Sequence, residues 1–132
     1  MIGLDTNVLL RLFVEEDDPQ QSARVRALIE QAGSEQPCLV NVVVLAEFAW
    51  ALGKSLRRPK QDVIKYLDAM LHSDDLQIER SAAARAALAA YRAGKADFSD
   101  YLIAAVNAEL GCASTASFDR EALKSKPFSP VP

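Results

Sequence analysis

Ile2-Gly3-Leu4-Asp5-Thr6-Asn7-Val8-Leu9-Leu10-Arg11-Leu12-Phe13 is the stretch whose reading decides the fold. A short apolar run, Ile2 to Leu4, ends in three polar residues whose side chains can take the free N–H groups of a helix running through Leu12 and Phe13. The order is strand, polar turn, helix. It returns at Cys38-Leu39-Val40, a second candidate strand, where Asn41 can cap a helix carrying Val44, Leu45, Phe48, Trp50 and Leu52. The β-branched run Val42-Val43-Val44 blurs the start of that helix. Leu76 to Glu79 is a weak strand, and Cys112 to Thr115 reads as a last, buried one. Short apolar strands alternating with longer helices predict an α/β domain with a mainly parallel sheet, since parallel strands need crossover connections and helices supply them. Ligands of such folds bind outside the carboxyl ends of the strands.

The remaining helices carry their own punctuation. Asp18-Pro19 is an N-cap followed by proline at the first helical position, with Gly33 as the stop. Pro59 opens a helix in which Val63, Ile64, Leu67, Met70 and Leu71 form one amphipathic face, which suggests an arm or lid. Ser81 to Ala93, rich in alanine, is a helix by propensity and Gly94 can close it. Asp97 to Leu110 is the last long helix, closed by Gly111, and the tail from Pro127 to Pro132 reads as irregular. Glu15-Glu16-Asp17-Asp18 reads as a solvated connection ending at a helix N-terminus, and Arg57-Arg58 as a solvated turn.

A length of 132 residues argues for one domain over 1–132 with one core. Half the residues are hydrophobic and a quarter charged, the balance of a globular chain rather than a disordered one. No stretch approaches the roughly 18–20 apolar residues of a membrane span, and no basic segment or cleavage site precedes Asp5, so membrane insertion and secretion are not expected. Cys38 and Cys112 lie far apart in short apolar segments and read as buried, reduced thiols of a cytoplasmic protein. His72 is the only histidine, which excludes zinc sites of the His/Cys type and leaves its chemistry to carboxylates. The net charge of −3 gives no overall basic footprint for a nucleic acid.

The carboxylates themselves fall at telling places. Asp5 follows the first strand and Asp119 the last, so both can project from one edge of a parallel sheet. Asp97 and Asp100, three apart at a helix start, share a face. Glu47 sits inside the apolar sequence Val43-Val44-Leu45-Ala46-Glu47-Phe48-Ala49-Trp50, where a charge is costly unless it meets a cation or a polar cleft.

Four blocks in this order, Leu4-Asp5-Thr6-Asn7-Val8-Leu9, Val44-Leu45-Ala46-Glu47, Asp97-Phe98-Ser99-Asp100-Tyr101-Leu102-Ile103-Ala104-Ala105 and Thr115-Ala116-Ser117-Phe118-Asp119-Arg120, resemble a PIN domain, most closely a VapC-type toxin of a bacterial toxin–antitoxin pair. The resemblance implies a compact α/β/α fold and a magnesium- or manganese-dependent endoribonuclease. It also implies a cytoplasmic toxin, neutralised by a cognate antitoxin and forming a homodimer. Carried onto this sequence, it puts the acidic cluster on Asp5, Glu47, Asp100 and Asp119 as catalytic metal ligands. Asp97 is then an accessory carboxylate or a helix cap. Thr6 and Asn7 are hydrogen-bonding partners of the cluster, and Ser117 is a weaker candidate for the same task. Asp119 stands in the most variable block, where it can bind metal directly, hold a water or orient Arg120.

Independently of the resemblance, several carboxylates suit a hard divalent ion, which prefers oxygen ligands. An ion that activates water removes the need for a histidine base, and hydrolysis by water leaves a 5′-phosphate and a 3′-hydroxyl. Local cations can offset the negative total: Arg11 after Asp5, Arg58 with its basic neighbours on the arm, and Arg120 and Lys124 after Asp119 are candidate RNA phosphate contacts. Trp50 and Tyr101 read as packed, and Phe118 as able to stack on a base. A phosphatase of the haloacid-dehalogenase kind also places an Asp after its first strand, but its motif needs a second Asp where Asn7 stands. A catalytically idle PIN-like module binding RNA or a partner is the non-enzymatic alternative.

Overall fold

In the computed structural model, which describes residues 1–14, 18–33 and 36–132, the chain divides into two units, Met1–Glu79 and Arg80–Pro132. The reading of Glu15, Glu16 and Asp17 as a solvated connection lies outside the described residues. Every strand pairing among the described residues is parallel, and helices supply the crossovers, so the architecture is α/β as expected.

The first unit is organised around β1, Cys38–Val40. β2, Leu76–Ile78, lies parallel to it in the register Cys38↔Leu76, Leu39↔Gln77 and Val40↔Ile78. On the opposite edge of β1 the N-terminal segment pairs through Gly3↔Leu39: Leu39 N–H donates to the Ile2 carbonyl at 2.8 Å, and the Leu39 carbonyl accepts from Leu4 N–H at 2.9 Å. The expected strand at Ile2 to Leu4 is thus present as a single parallel bridge. Cys38 and Val40 point to the interior and are fully buried while Leu39 between them is half-buried, the period-2 signature of a strand with one core face.

Around these strands run α1 (Thr6–Phe13), α2 (Pro19–Ala32), α3 (Val42–Trp50) and α4 (Lys60–His72). A π-helical turn at Ala51–Ser55, which nothing in the sequence announced, follows α3 directly. Asp18 caps α2 by accepting from Gln20 N–H and Gln21 N–H, Pro19 takes the first helical position, and Gly33 ends the helix at φ +69°. The core is made by Leu9, Leu45, Phe48, Leu52, Leu67 and Met70, all fully buried. Phe13 meets Phe48 edge-on at 6.0 Å and Tyr66 at 5.9 Å between centroids, so one ring of α1 touches both α3 and α4. Arg57 occupies the left-handed region at φ +51°, in keeping with a turn at Arg57-Arg58.

The second unit pairs α5 (Ser81–Ala93) with α6 (Phe98–Glu109). Buried Ala83, Ala84, Ala87 and Leu88 of α5 and Phe98, Tyr101, Leu102 and Ala104 of α6 form its interior, the alanines letting the helices approach closely. Arg80 precedes α5, and its guanidinium meets the Glu109 carboxylate at the end of α6 at 3.2 Å. β3 (Thr115–Ser117) and β4 (Phe128–Pro130) pair in parallel, joined through a 3₁₀ turn at Ala122–Lys124.

Three expectations are corrected here. The last strand begins at Thr115 rather than Cys112, because Cys112 N–H is taken by the Asn107 carbonyl at 2.9 Å and Gly111 turns at φ +95°: these residues terminate α6. Cys112 is accordingly exposed, not buried. The tail is not irregular throughout, since Thr115 N–H donates to the Pro127 carbonyl at 2.7 Å and opens the pairing with β4. No helix among the described residues is long and apolar enough to cross a membrane.

Two outcomes follow. Burial, with the charge of Asp75 adding to it, raises the Cys38 thiol above its ordinary value, so its nucleophilic thiolate is scarce. Iodoacetamide followed by peptide mass analysis should modify Cys112 in the native protein and Cys38 only in denaturant. In the second unit the Tyr101 hydroxyl accepts from Ala96 N–H at 3.2 Å and lies against Gly94, where any Cβ would overlap it. Tyr101 is buried, so Gly94→Ala should cost about 1–3 kcal/mol in urea unfolding, as overpacked sites do. The penalty should shrink in a Tyr101→Phe background, which removes the overlapping oxygen.

Candidate functional site

Register fixes the first part of the site. With Gly3, Leu39 and Gln77 in one paired row, the positions two residues on are Asp5, Asn41 and Glu79, at the carboxyl ends of three parallel segments. Each begins or supports a helix. Asp5 Oδ1 accepts from Val8 N–H at 3.0 Å and caps α1. Asn41 Oδ1 accepts from Val44 N–H at 2.9 Å, and Glu79 Oε1 accepts from Val42 N–H at 3.0 Å, so two side chains hold the start of α3. This double cap lets a helix begin within a run of three valines. Glu79 was not singled out from sequence, because its target lies 37 residues away; its position just after β2 was the only signal.

Glu47 sits on the exposed face of α3. Val44, Leu45, Phe48 and Ala49 turn inward, while Val43, Glu47 and Trp50, spaced i, i+4, i+7, turn outward. Most of the apolar neighbours of Glu47 in sequence therefore lie on the other side of its helix, and the residue is exposed. Thr6 Oγ1 donates to Glu47 Oε1 at 3.3 Å, tying Glu47 to the residue next to Asp5. Asn7 is exposed on α1. Trp50, expected to pack, is 57% exposed: it falls on this outward face because the helix period, not its hydrophobicity, decides where it points.

In the second unit Asp97 and Asp100 form a capping box at the start of α6, with Asp97 N–H donating to Asp100 Oδ2 at 3.2 Å. Asp97 caps α6, and its N–H holds Asp100. Asp119 is exposed, two residues beyond β3. Its Oδ1 accepts from Glu121 N–H and Ala122 N–H at 2.9 and 3.0 Å, while its own N–H donates to Ser117 Oγ at 2.9 Å. Tyr91 is raised above its ordinary value by burial and by the nearby charge of Asp97.

The candidate cations are mostly engaged locally. Arg11 Nε donates to Gln21 Oε1 at 3.0 Å, and Lys124 pairs with Glu121 at 3.1 Å on its own turn. Arg58 is half-buried and Arg120 exposed. His72 is exposed at the end of α4 against the Asp68 carbonyl at 2.8 Å.

The structure therefore brings Thr6 to Glu47, Asp100 to Asp97 and Ser117 to Asp119. Among the described residues no three His, Cys, Asp or Glu side chains form a group that could hold a metal ion. The donors are nonetheless all oxygen: Asp5, Thr6 and Glu47 in the first unit, Asp97, Asp100 and Asp119 in the second. Within each unit, oxygen donors of this kind suit a hard divalent ion, since Mg²⁺ keeps several waters and takes only one or two carboxylates alongside substrate phosphates.

Residues 2–128 match a protein-family model described as PIN domain. No curated protein and no solved structure matches the chain. The double cap has a measurable consequence: Asn41→Ala should lower stability by about 1 kcal/mol through loss of one acceptor at the start of α3, read as a reduced urea midpoint with unchanged slope.

Proposed function

This chain belongs to the PIN domain family, whose members are generally nucleases, and on that premise we propose that it is a metal-dependent endoribonuclease of the VapC type. PIN nucleases act on RNA. The observation that carries the reading is the hydrogen bond from Thr6 to Glu47, which joins two acidic blocks far apart in sequence. The acids that would hold the ion are Asp5, Glu47, Asp100 and Asp119, with Asp97 accessory. Mg²⁺ or Mn²⁺, when bound, stabilises negative charge developing on the phosphodiester and its leaving oxygen and makes water more acidic.

The protein's own part is orientation. Val8 N–H fixes the Asp5 carboxylate, Thr6 fixes Glu47, Asp97 N–H fixes Asp100, and Glu121 and Ala122 N–H groups fix Asp119. Each bond engages one oxygen of a carboxylate that offers about four lone-pair sites, leaving acceptor capacity for an ion or water. Hydrogen bonds of this kind around metal ligands hold them in geometry and raise affinity. Residues 1–132 act in this reading as one domain, in the cytoplasm, as a homodimer that a cognate antitoxin protein neutralises. Arg11, Arg58, Arg120 and Lys124 are the candidates for phosphate contacts in this reading.

Single-turnover cleavage of end-labelled RNA tests the proposal. Activity should vanish with EDTA, return with Mg²⁺ or Mn²⁺, and yield 5′-phosphate and 3′-hydroxyl ends. Asp5→Asn, Glu47→Gln and Asp100→Asn should each lose at least about a hundredfold, and Thr6→Val about 10- to 100-fold. RNA binding without metal-dependent cleavage would leave the idle module standing. Co-purification with a small protein that abolishes cleavage would support the antitoxin.

A further inference from the structure

Of the five phenylalanines, three tyrosines and one tryptophan, only Trp50 and Phe118 are exposed, at 57% and 83%. The others are joined in ring pairs within their own units: Phe13 with Phe48 and Tyr66, Tyr91 with Phe98, Tyr101 with Phe128. The two exceptions share a second property. Trp50 lies one helical turn beyond Glu47 on the same outward face of α3, and Phe118 is the residue next to Asp119. Each unit thus turns one aromatic ring to solvent, and each ring stands beside a carboxylate of the proposed reaction.

An exposed aromatic face carries an unfavourable hydration that some planar group can relieve. A protein partner fits poorly here, because the centre of a protein interface is depleted of charge and Glu47 lies between Val43 and Trp50 on the row. An unpaired nucleobase fits better: it needs a flat ring and tolerates a charged neighbour, and its backbone phosphates can follow the chain onward to exposed Lys54, just past Trp50. The π-helical turn at Ala51–Ser55 begins immediately after Trp50, and such turns occur frequently at functional sites.

We propose that Trp50 and Phe118 are stacking platforms for unpaired nucleobases of the RNA, one beside Glu47 and one beside Asp119. The inference rests on the nuclease reading for its substrate.

Trp50 is the only tryptophan, so indole emission reports on it alone. The experiment titrates the full chain in Mg²⁺ with a short single-stranded RNA and with an abasic oligomer of equal length and charge. RNA should quench the emission and the abasic oligomer should not. Phe118→Trp in a Trp50→Phe background moves the reporter to the second platform, where the same contrast is expected. In cleavage assays Trp50→Ala and Phe118→Ala should each raise KM about 5- to 100-fold with kcat little changed, and Trp50→Phe should restore most of the loss. Unchanged emission while RNA is being cleaved overturns the stacking proposal and leaves the nuclease intact. Quenching without cleavage under any divalent ion leaves the platforms and overturns the nuclease. Equal quenching by the abasic oligomer, or emission that shifts with protein concentration and ignores RNA, assigns these faces to backbone charge or to a second copy of the chain and also overturns it.

Discussion

The in-register parallel pairing of the Gly3 segment, β1 and β2 sets everything else in the first unit. Parallel strands share a direction, so the residues that follow them emerge at one edge, and pairing of Leu39 with both Gly3 and Gln77 aligns Asp5, Asn41 and Glu79 there. A slip of one residue would turn Cys38 and Val40 outward and Leu39 inward, exchanging fully buried side chains for a half-buried one. The apolar face of β1 therefore pins a polar row that no hydrophobic force acts on directly. From that row α1 and α3 take their starting points, and with them the position of Thr6 against Glu47.

The carboxylates proposed for the metal also serve the fold. Asp5, Asp100 and Asp119 all accept backbone N–H groups at the beginnings of helical segments, where the first N–H groups lack partners within the helix. A carboxylate that caps a helix is held in one orientation, which is what binding a hard cation asks of it. In the proposed reading, the side chain that serves the fold is the one that serves the chemistry. This also explains why such acids look ordinary when taken one at a time: each satisfies a local rule completely, and only their order along the chain and the one long-range bond from Thr6 to Glu47 set them apart.

Local rules were what the sequence displayed best. Asp18-Pro19, Asn41 and Asp97 mark helix starts through side chains that act within three residues, and all three do so in the structure. The α/β alternation was readable for the same reason. Features that depend on distant partners were not. Glu79 caps a helix 37 residues upstream, β4 exists only because β3 runs beside it, and the π-helical turn leaves no periodic trace. Hydrophobicity misled twice. Cys112 is apolar but serves the turn that ends α6, and Trp50, expected to pack, follows Glu47 to the outward face.

A chain of net charge −3 that handles a polyanion has to draw attraction from something other than its total charge. Three of its cations are engaged within the protein: Lys124 by Glu121, Arg80 by Glu109, and Arg11 by Gln21. Affinity built from phosphate contacts rises steeply as salt falls, with one unit of slope for nearly every phosphate neutralised. Affinity built from base stacking changes little, because it engages neutral rings. On the stacking proposal, Trp50 beside Glu47 in the first unit and Phe118 beside Asp119 in the second are the places where neutral rings supply affinity that phosphate contacts do not.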